Sequence, residues 1–118
     1  MGTFYVTIEL GDEQGANWRT LDALVDIGAS TTSVPASVLR GLEVRAVSTE
    51  RFRFAQGEVR ELPVGYTWVR FAGKELMTQV IFNEEGTSPL LGAMALEAAY
   101  MAVDPVGQRL IPVEGLLM

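Results

Sequence analysis

Asp26 stands at the end of an apolar run, in Leu24-Val25-Asp26-Ile27-Gly28-Ala29-Ser30, directly before a tight glycine turn. A carboxylate delivered there can take a proton from water or, when protonated, give one to a carbonyl oxygen. The glycine suits that placement, because it tolerates abrupt backbone angles and lets amides come close to the carboxylate oxygens. Asp22 and Asp104 stand in other contexts, and neither is followed by Gly-Ala. Further along, Pro89-Leu90-Leu91-Gly92 brings a second apolar run to a glycine. Short Asp-x-Gly strings also serve as plain polar turns after buried strands, so the surrounding residues must decide.

What the chain lacks narrows the chemistry. Its 118 residues include no His and no Cys. That removes Ser-His and Cys-His catalytic pairs and the usual zinc ligand sets. No Gly-x-x-x-x-Gly-Lys-Ser/Thr phosphate loop or dinucleotide fingerprint occurs. A formal net charge of −6 repels phosphates, so nucleic acid is not an expected partner. An enzyme of this composition must work with carboxylates, and neither a metal nor a cofactor is expected.

No apolar run approaches the roughly 18 residues that cross a bilayer, so no membrane partner is expected. No secretory leader pattern opens the sequence. Met1-Gly2 could begin a myristoylation motif, but the sixth position is Val6 where that motif wants Ser or Thr. The lack of cysteine fits a reducing compartment, and a cytoplasmic location is the expectation. The length, with 48% hydrophobic and 20% charged residues, suits one globular domain over 1–118.

The elements that must position Asp26 are mostly strands. Phe4, Val6, Ile8 and Leu10 alternate with Tyr5, Thr7 and Glu9, the period of a half-buried strand. After a turn at 11–15, a second strand from about 18 to 25 ends on Asp26. Pro35 to Arg40 before Gly41 reads as one helical turn or as plain loop. Two strands, 50–55 and 58–71, flank Gln56-Gly57 and make a hairpin. A strand over 75–82 follows, then a polar loop at 83–87 and the short strand Leu90-Leu91. The one clear helix runs from 92 to about 100, rich in Ala, Met, Leu and Glu. Strands at 101–103 and 109–113 surround a turn at 104–107.

In order and spacing, Asp26-Ile27-Gly28-Ala29 and Leu90-Leu91-Gly92 resemble the two signatures of the retropepsin-like aspartic proteases. The first signature there is usually Asp-Thr-Gly or Asp-Ser-Gly, followed by Ala or Ser. Asp22-Ala23-Leu24-Val25 supplies the acidic residue and apolar approach typical of the family. Ser30 to Val34 gives the small polar run seen after the motif in cellular relatives.

The resemblance implies an all-β fold, a closed β-barrel equivalent to one acid-protease half, with one short helix on the C-terminal side. It implies catalysis by two Asp carboxylates that share one proton and hold one water. A chain with one copy of the motif would draw the second carboxylate from Asp26 of another subunit, across a two-fold axis. The implied protein is a homodimeric endopeptidase acting on peptides or unfolded protein segments. Asp26 would be catalytic, and Leu24, Gly28, Ala29 and Leu90 would bind substrate. Gln56 and Gly57 would sit at the tip of a flap that closes over the peptide. Leu91 would point into the core, and the strands at 4–10 and 109–113 are candidates for dimer contacts.

Ile27 occupies the position of the usual Thr or Ser, in the active-site loop at the implied dimer seam. The family hydroxyl there reaches across the two-fold axis to the partner's backbone. Ile keeps the β-branched shape but has no donor or acceptor. Ala93 stands where viral enzymes usually carry Arg, and a hairpin at 104–107 extends past the helix. Both features resemble the bacterial or archaeal branch. Two other readings stay open: a weak or inactive retropepsin-like domain serving dimerisation or peptide binding, and an unrelated small β-barrel binding module. Without Asp26, the hairpin at 56–57 is only an exposed turn. Leu90-Leu91-Gly92 is then only a buried strand before a helix, and Phe52 and Phe54 belong to either core or cleft.

Overall fold

In the computed structural model, which describes residues 4–117, the alternating stretches become strands. β1 (Phe4–Gly11) and β2 (Trp18–Val25) pair antiparallel along their whole length, Phe4 opposite Val25 and Gly11 opposite Trp18. Met1-Gly2, considered above for lipidation, lies outside the described residues. The turn between the two strands is fixed by Asp12. Its carboxylate accepts hydrogen bonds from the Ala16 amide at 2.8 Å and from the Asn17 side-chain amide at 2.8 Å. These bonds, the Ala16 amide first among them, hold the Asp12 carboxyl below the ordinary carboxylate range.

The chain continues through β3 (Thr32–Pro35), α1 (Ala36–Gly41), β4 (Ala46–Arg53), β5 (Val59–Phe71) and β6 (Lys74–Asn83). It ends with β7 (Leu90–Leu91), α2 (Ala93–Ala98), β8 (Met101–Asp104) and β9 (Arg109–Pro112). The order in the main sheet is β1-β2-β7-β3-β6-β5-β4. Glu9 and Leu10 of β1 also pair with Arg70 and Val69 of β5, which closes six of these strands into a ring and leaves β4 outside it. β8 and β9 form a separate two-stranded sheet. Among the described residues no helix is long and apolar enough to cross a membrane.

The all-β expectation holds, with corrections in detail. Two short helices are present where one was expected. α1 forms from the predicted helical turn after Pro35, whose ring fixes φ at −55° but whose side chain cannot cap the helix. Glu85, from the polar loop, supplies that cap instead. Its carboxylate accepts from the Ser37 hydroxyl at 2.6 Å and the Ser37 amide at 2.9 Å. α2 is shorter than the predicted 92–100, and Tyr100 already has a positive φ of 56°. β3 is the strand that the pattern missed. Its Thr32 and Ser33 read as polar, yet both are buried.

Two apolar clusters result. The larger gathers Ile8, Leu10, Val25, Val34, Leu39, Val69, Phe82, Leu91 and Leu96 inside the ring of strands. Burying side chains of this size contributes roughly 1.5–3 kcal/mol each relative to leaving them exposed. The smaller cluster is Leu62, Val64 and Ile81, with Phe52 and Phe54 packed against it. It lies under the β4–β5 hairpin and supports the walls of the cleft described next.

Candidate active site

Asp26 leaves the end of β2 because β2 is held from below. Leu24 and Val25 pair in parallel with Leu90 and Leu91 of β7. The Asp26 amide continues that ladder and donates to the Leu91 carbonyl at 3.1 Å. The chain then turns, with the Ala29 amide donating to the Asp26 carbonyl at 3.1 Å. Inside this turn the Gly28 amide donates to Asp26 Oδ1 at 3.0 Å. The carboxylate is thereby aimed by backbone groups of its own loop.

The segment after β7 holds the loop from beneath. The Ala93 amide donates to the Ala29 carbonyl at 2.8 Å, and the Met94 amide to the Ser30 carbonyl at 3.0 Å. In the reverse direction, Thr32 Oγ1 accepts from the Gly92 amide at 3.1 Å. A side chain at Gly92 would strike this assembly, since a Cβ there would stand 2.7 Å from the Thr31 carbonyl carbon. Asp26-Ile27-Gly28 and Leu90-Leu91-Gly92 are therefore two halves of one hydrogen-bonded unit. Their separation in sequence is closed by parallel strand pairing.

Over the loop stands the β4–β5 hairpin, in which Arg53 pairs with Val59. Its tip turns at Gly57, whose φ of +91° favours glycine. The Phe54 amide donates to the Glu58 carbonyl at 2.7 Å, and Arg53 Nη1 donates to the Gly57 carbonyl at 3.1 Å. Between hairpin and loop lies an open cleft of about 590 Å³. Asp26, Gly28, Ala29, Gln56 and Leu90 all line it.

Leu24, Ile27 and Gly57 are not among the lining residues. Leu24 is half-buried beside Leu90 in the sheet, and Gly57 is exposed at the hairpin tip. Ile27 is 57% exposed, unusual for a large aliphatic side chain next to a candidate catalytic group. Leu91 is fully buried in the larger core. Phe52 and Phe54 serve both roles, since they pack on the smaller cluster and also line the cleft. Sequence reasoning missed Ser33, Ile81 and Asn83, which also line it. Only the pairing of β3 with β6 and β7 brings them there.

Asp26 and Arg53 are the only charged side chains lining the cleft among the described residues. Among the described residues no second carboxylate lines the cleft with Asp26, so a shared-proton pair would have to be completed from outside them. Among the described residues no three side chains of His, Cys, Asp or Glu are gathered in a way that could hold a metal ion. A second depression, about 480 Å³, lies between Thr7, Glu9, Thr20 and the β5–β6 turn. Its Arg70 is engaged by Glu9 and Glu75 at 3.5 and 3.8 Å, so its charges answer one another.

No family model matches the chain, and no curated protein matches it in sequence. Solved structures do match in shape. The solution structure of the protease of simian foamy virus (mac) superposes with a TM-score of 0.57 at 21% identity, over 80% of this chain and 92% of that one. The crystal structure of a retropepsin-like aspartic protease from Rickettsia conorii gives 0.52 at 21% identity, over 88% and 86%. By its likeness to these two neighbours, this chain has the retropepsin-like fold.

Proposed function

We propose that the chain is the protomer of a homodimeric aspartic endopeptidase that hydrolyses peptides or unfolded protein segments. The observation that carries this reading is the Asp26 carboxylate, aimed by the Gly28 amide into a cleft under a hairpin, in a retropepsin-like fold. The pair is completed by Asp26 of a second copy. Two carboxylates that close do not both ionise, so they hold one proton between them. The ionised one takes a proton from the bound water as its oxygen attacks the peptide carbonyl carbon. The protonated one gives its proton to the carbonyl oxygen, so the pair still holds one proton afterwards. As the tetrahedral intermediate collapses, the protonated carboxyl gives its proton to the leaving amine nitrogen, and the other carboxylate takes one from a hydroxyl of the intermediate. Acid and amine leave, the pair again holds one proton, and no cofactor is required. A chain without cysteine suits a reducing, cytoplasmic setting.

Exposed apolar residues around the loop support a partner there. Ile27 is exposed, and so is Met94, whose amide holds the Ser30 carbonyl. β9 pairs only with β8 among the described residues, leaving its other edge free to meet a second chain. The direct test is incubation with an unfolded protein across mildly acidic pH, followed by mass spectrometry of the fragments. Specific fragments are expected. A substrate that stays intact overturns the reading.

A second reading, a weak or inactive domain that dimerises or binds peptides, is favoured by one observation. Ile27 offers no hydroxyl to a facing backbone. Two symmetric hydrogen bonds are absent as a result, each worth about 0.5–1.5 kcal/mol net. Contact between two Ile27 side chains offsets part of that. Ile27→Thr is therefore expected to tighten the dimer about tenfold and to raise activity in dilute solution. Sedimentation and a peptide-cleavage assay check both. If neither improves, Ile27 is a native part of an apolar seam.

A further inference from the structure

β3 divides its side chains between two faces. Val34 pairs in register with Phe82 and belongs with it to the larger core, and Thr32 opposite Val80 is 1% exposed. Ser33, between them, pairs with Ile81 of β6 and Leu90 of β7, and all three line the cleft. Successive side chains on a strand point to opposite faces, so the Ser33 hydroxyl belongs to the cleft side.

That hydroxyl is out of place as a structural group. Ser33 is only 3% exposed, and its Oγ makes no hydrogen bond among the described residues. Thr32 and Asn83, polar residues of the paired strands, do not bond to it. Thr32 Oγ1 accepts from the Gly92 amide, and Asn83 Oδ1 accepts from the Glu84 amide at 2.8 Å. Leu62, Ile81 and Leu90 give the same cleft an apolar wall. A buried hydroxyl without a partner loses its bonds to water and gains nothing in return. Ala would fill the position without that cost. A native structure that keeps such a group at a cleft wall calls for a ligand to satisfy it.

We infer that Ser33 is a specificity-determining residue, giving the cleft a pocket that selects a substrate side chain with a hydrogen-bonding end, such as Thr, over an apolar side chain of the same shape, such as Val. The inference rests on the reading of the cleft as a peptide site. A serine hydroxyl both donates and accepts, so a hydroxyl or amide on the substrate satisfies it. Charge is not the basis, because Arg53, the one cation lining the cleft among the described residues, is tied to the Gly57 carbonyl. Thr and Val differ only in the group that Ser33 would read. A site built to bond a substrate hydroxyl rejects the analogue lacking it far better than a greasy pocket rejects a missing methylene.

The test uses peptides carrying equal amounts of Thr and Val at each position flanking the cleaved bond, offered to the wild type and to Ser33→Ala. Cleavage is read by mass spectrometry, and binding of the same matched pairs is read by fluorescence anisotropy on the wild type, on Ser33→Ala and on Asp26→Asn. The wild type is expected to select Thr over Val by about tenfold at one position, in cleavage and in binding. Ser33→Ala is expected to bring that ratio to about one and leave the ratios at other positions as they were. Its melting temperature should be equal or higher, since no hydrogen bond is broken. Equal use of Thr and Val by the wild type overturns the inference. So does a Thr preference that survives in Ser33→Ala, or a marked fall in the variant's melting temperature. If nothing is cleaved but Thr peptides bind better in a Ser33-dependent way, the protease reading fails and the Ser33 inference stands. If no peptide is cleaved or bound, both fall.

Discussion

Asp26→Asn is expected to abolish the proposed proteolysis while leaving the fold and the proposed assembly in place. The asparagine side chain is nearly isosteric, and its oxygen can still accept from the Gly28 amide that now holds Asp26 Oδ1 at 3.0 Å. The loop keeps its backbone bonds to Leu91 and Ala93, none of which involves the carboxylate. What disappears is the group that takes and gives the proton. General acid–base catalysis by a positioned side chain is typically worth 10²–10⁴-fold, and both members of the pair are lost at once, so a fall of roughly 10⁴-fold in kcat/KM is expected. Circular dichroism, melting temperature and sedimentation should match the wild type. Cleavage retained in a well-folded Asp26→Asn would remove Asp26 from the mechanism.

Gly92→Ala should be damaging as well, by a different route. Gly92 has φ −91° and ψ 173°, angles that any residue adopts, so backbone freedom is not the issue. Space is. A Cβ there would stand 2.7 Å from the Thr31 carbonyl carbon, 2.9 Å from its oxygen and 3.0 Å from the Ala29 oxygen. All three belong to the backbone of the Asp26 loop, so no side chain can rotate away and the loop must move. Overpacking of this kind costs about 1–3 kcal/mol of stability. Displacing a catalytic group by about 1 Å costs on the order of 10²-fold in rate. The expected result is a lower melting temperature together with kcat/KM reduced by about 10²-fold. An Ala variant with wild-type activity would show that the loop does not depend on this close approach.

Where alternation was strong, the sequence was readable. β1, β2, β5 and β6 begin and end within a residue or so of their expected positions, because their apolar stretches are long and bounded by turn residues. β3 escaped because Thr32 and Ser33 are polar, and nothing local signals that a strand made of them is buried between β6 and β7. Its burial is decided by long-range pairing. β4 begins at Ala46 and not near 50, since the hairpin with β5 continues through an irregularity between Ala46 and Ser48. The Asp26 and Gly92 motifs were legible as a pair. Their contact through Val25–Leu91 pairing was not, because parallel neighbours leave no trace in local spacing. Leu24 is a case of the opposite kind. It sits beside the motif in sequence and opposite Leu90 in the sheet, yet only Leu90 lines the cleft. The unpaired Ser33 hydroxyl had no sequence signal at all, since only the assembled sheet shows that it lacks a partner.

Under the proposed mechanism each chain supplies one cleft carboxylate and activity belongs to two chains, which is open to a single measurement. Specific cleavage activity is followed over a dilution series while sedimentation gives the dimer fraction at each concentration. If two copies of Asp26 form the site, activity per chain falls in step with the dimer fraction and recovers on reconcentration. A monodisperse monomer that cleaves at full rate would contradict the account.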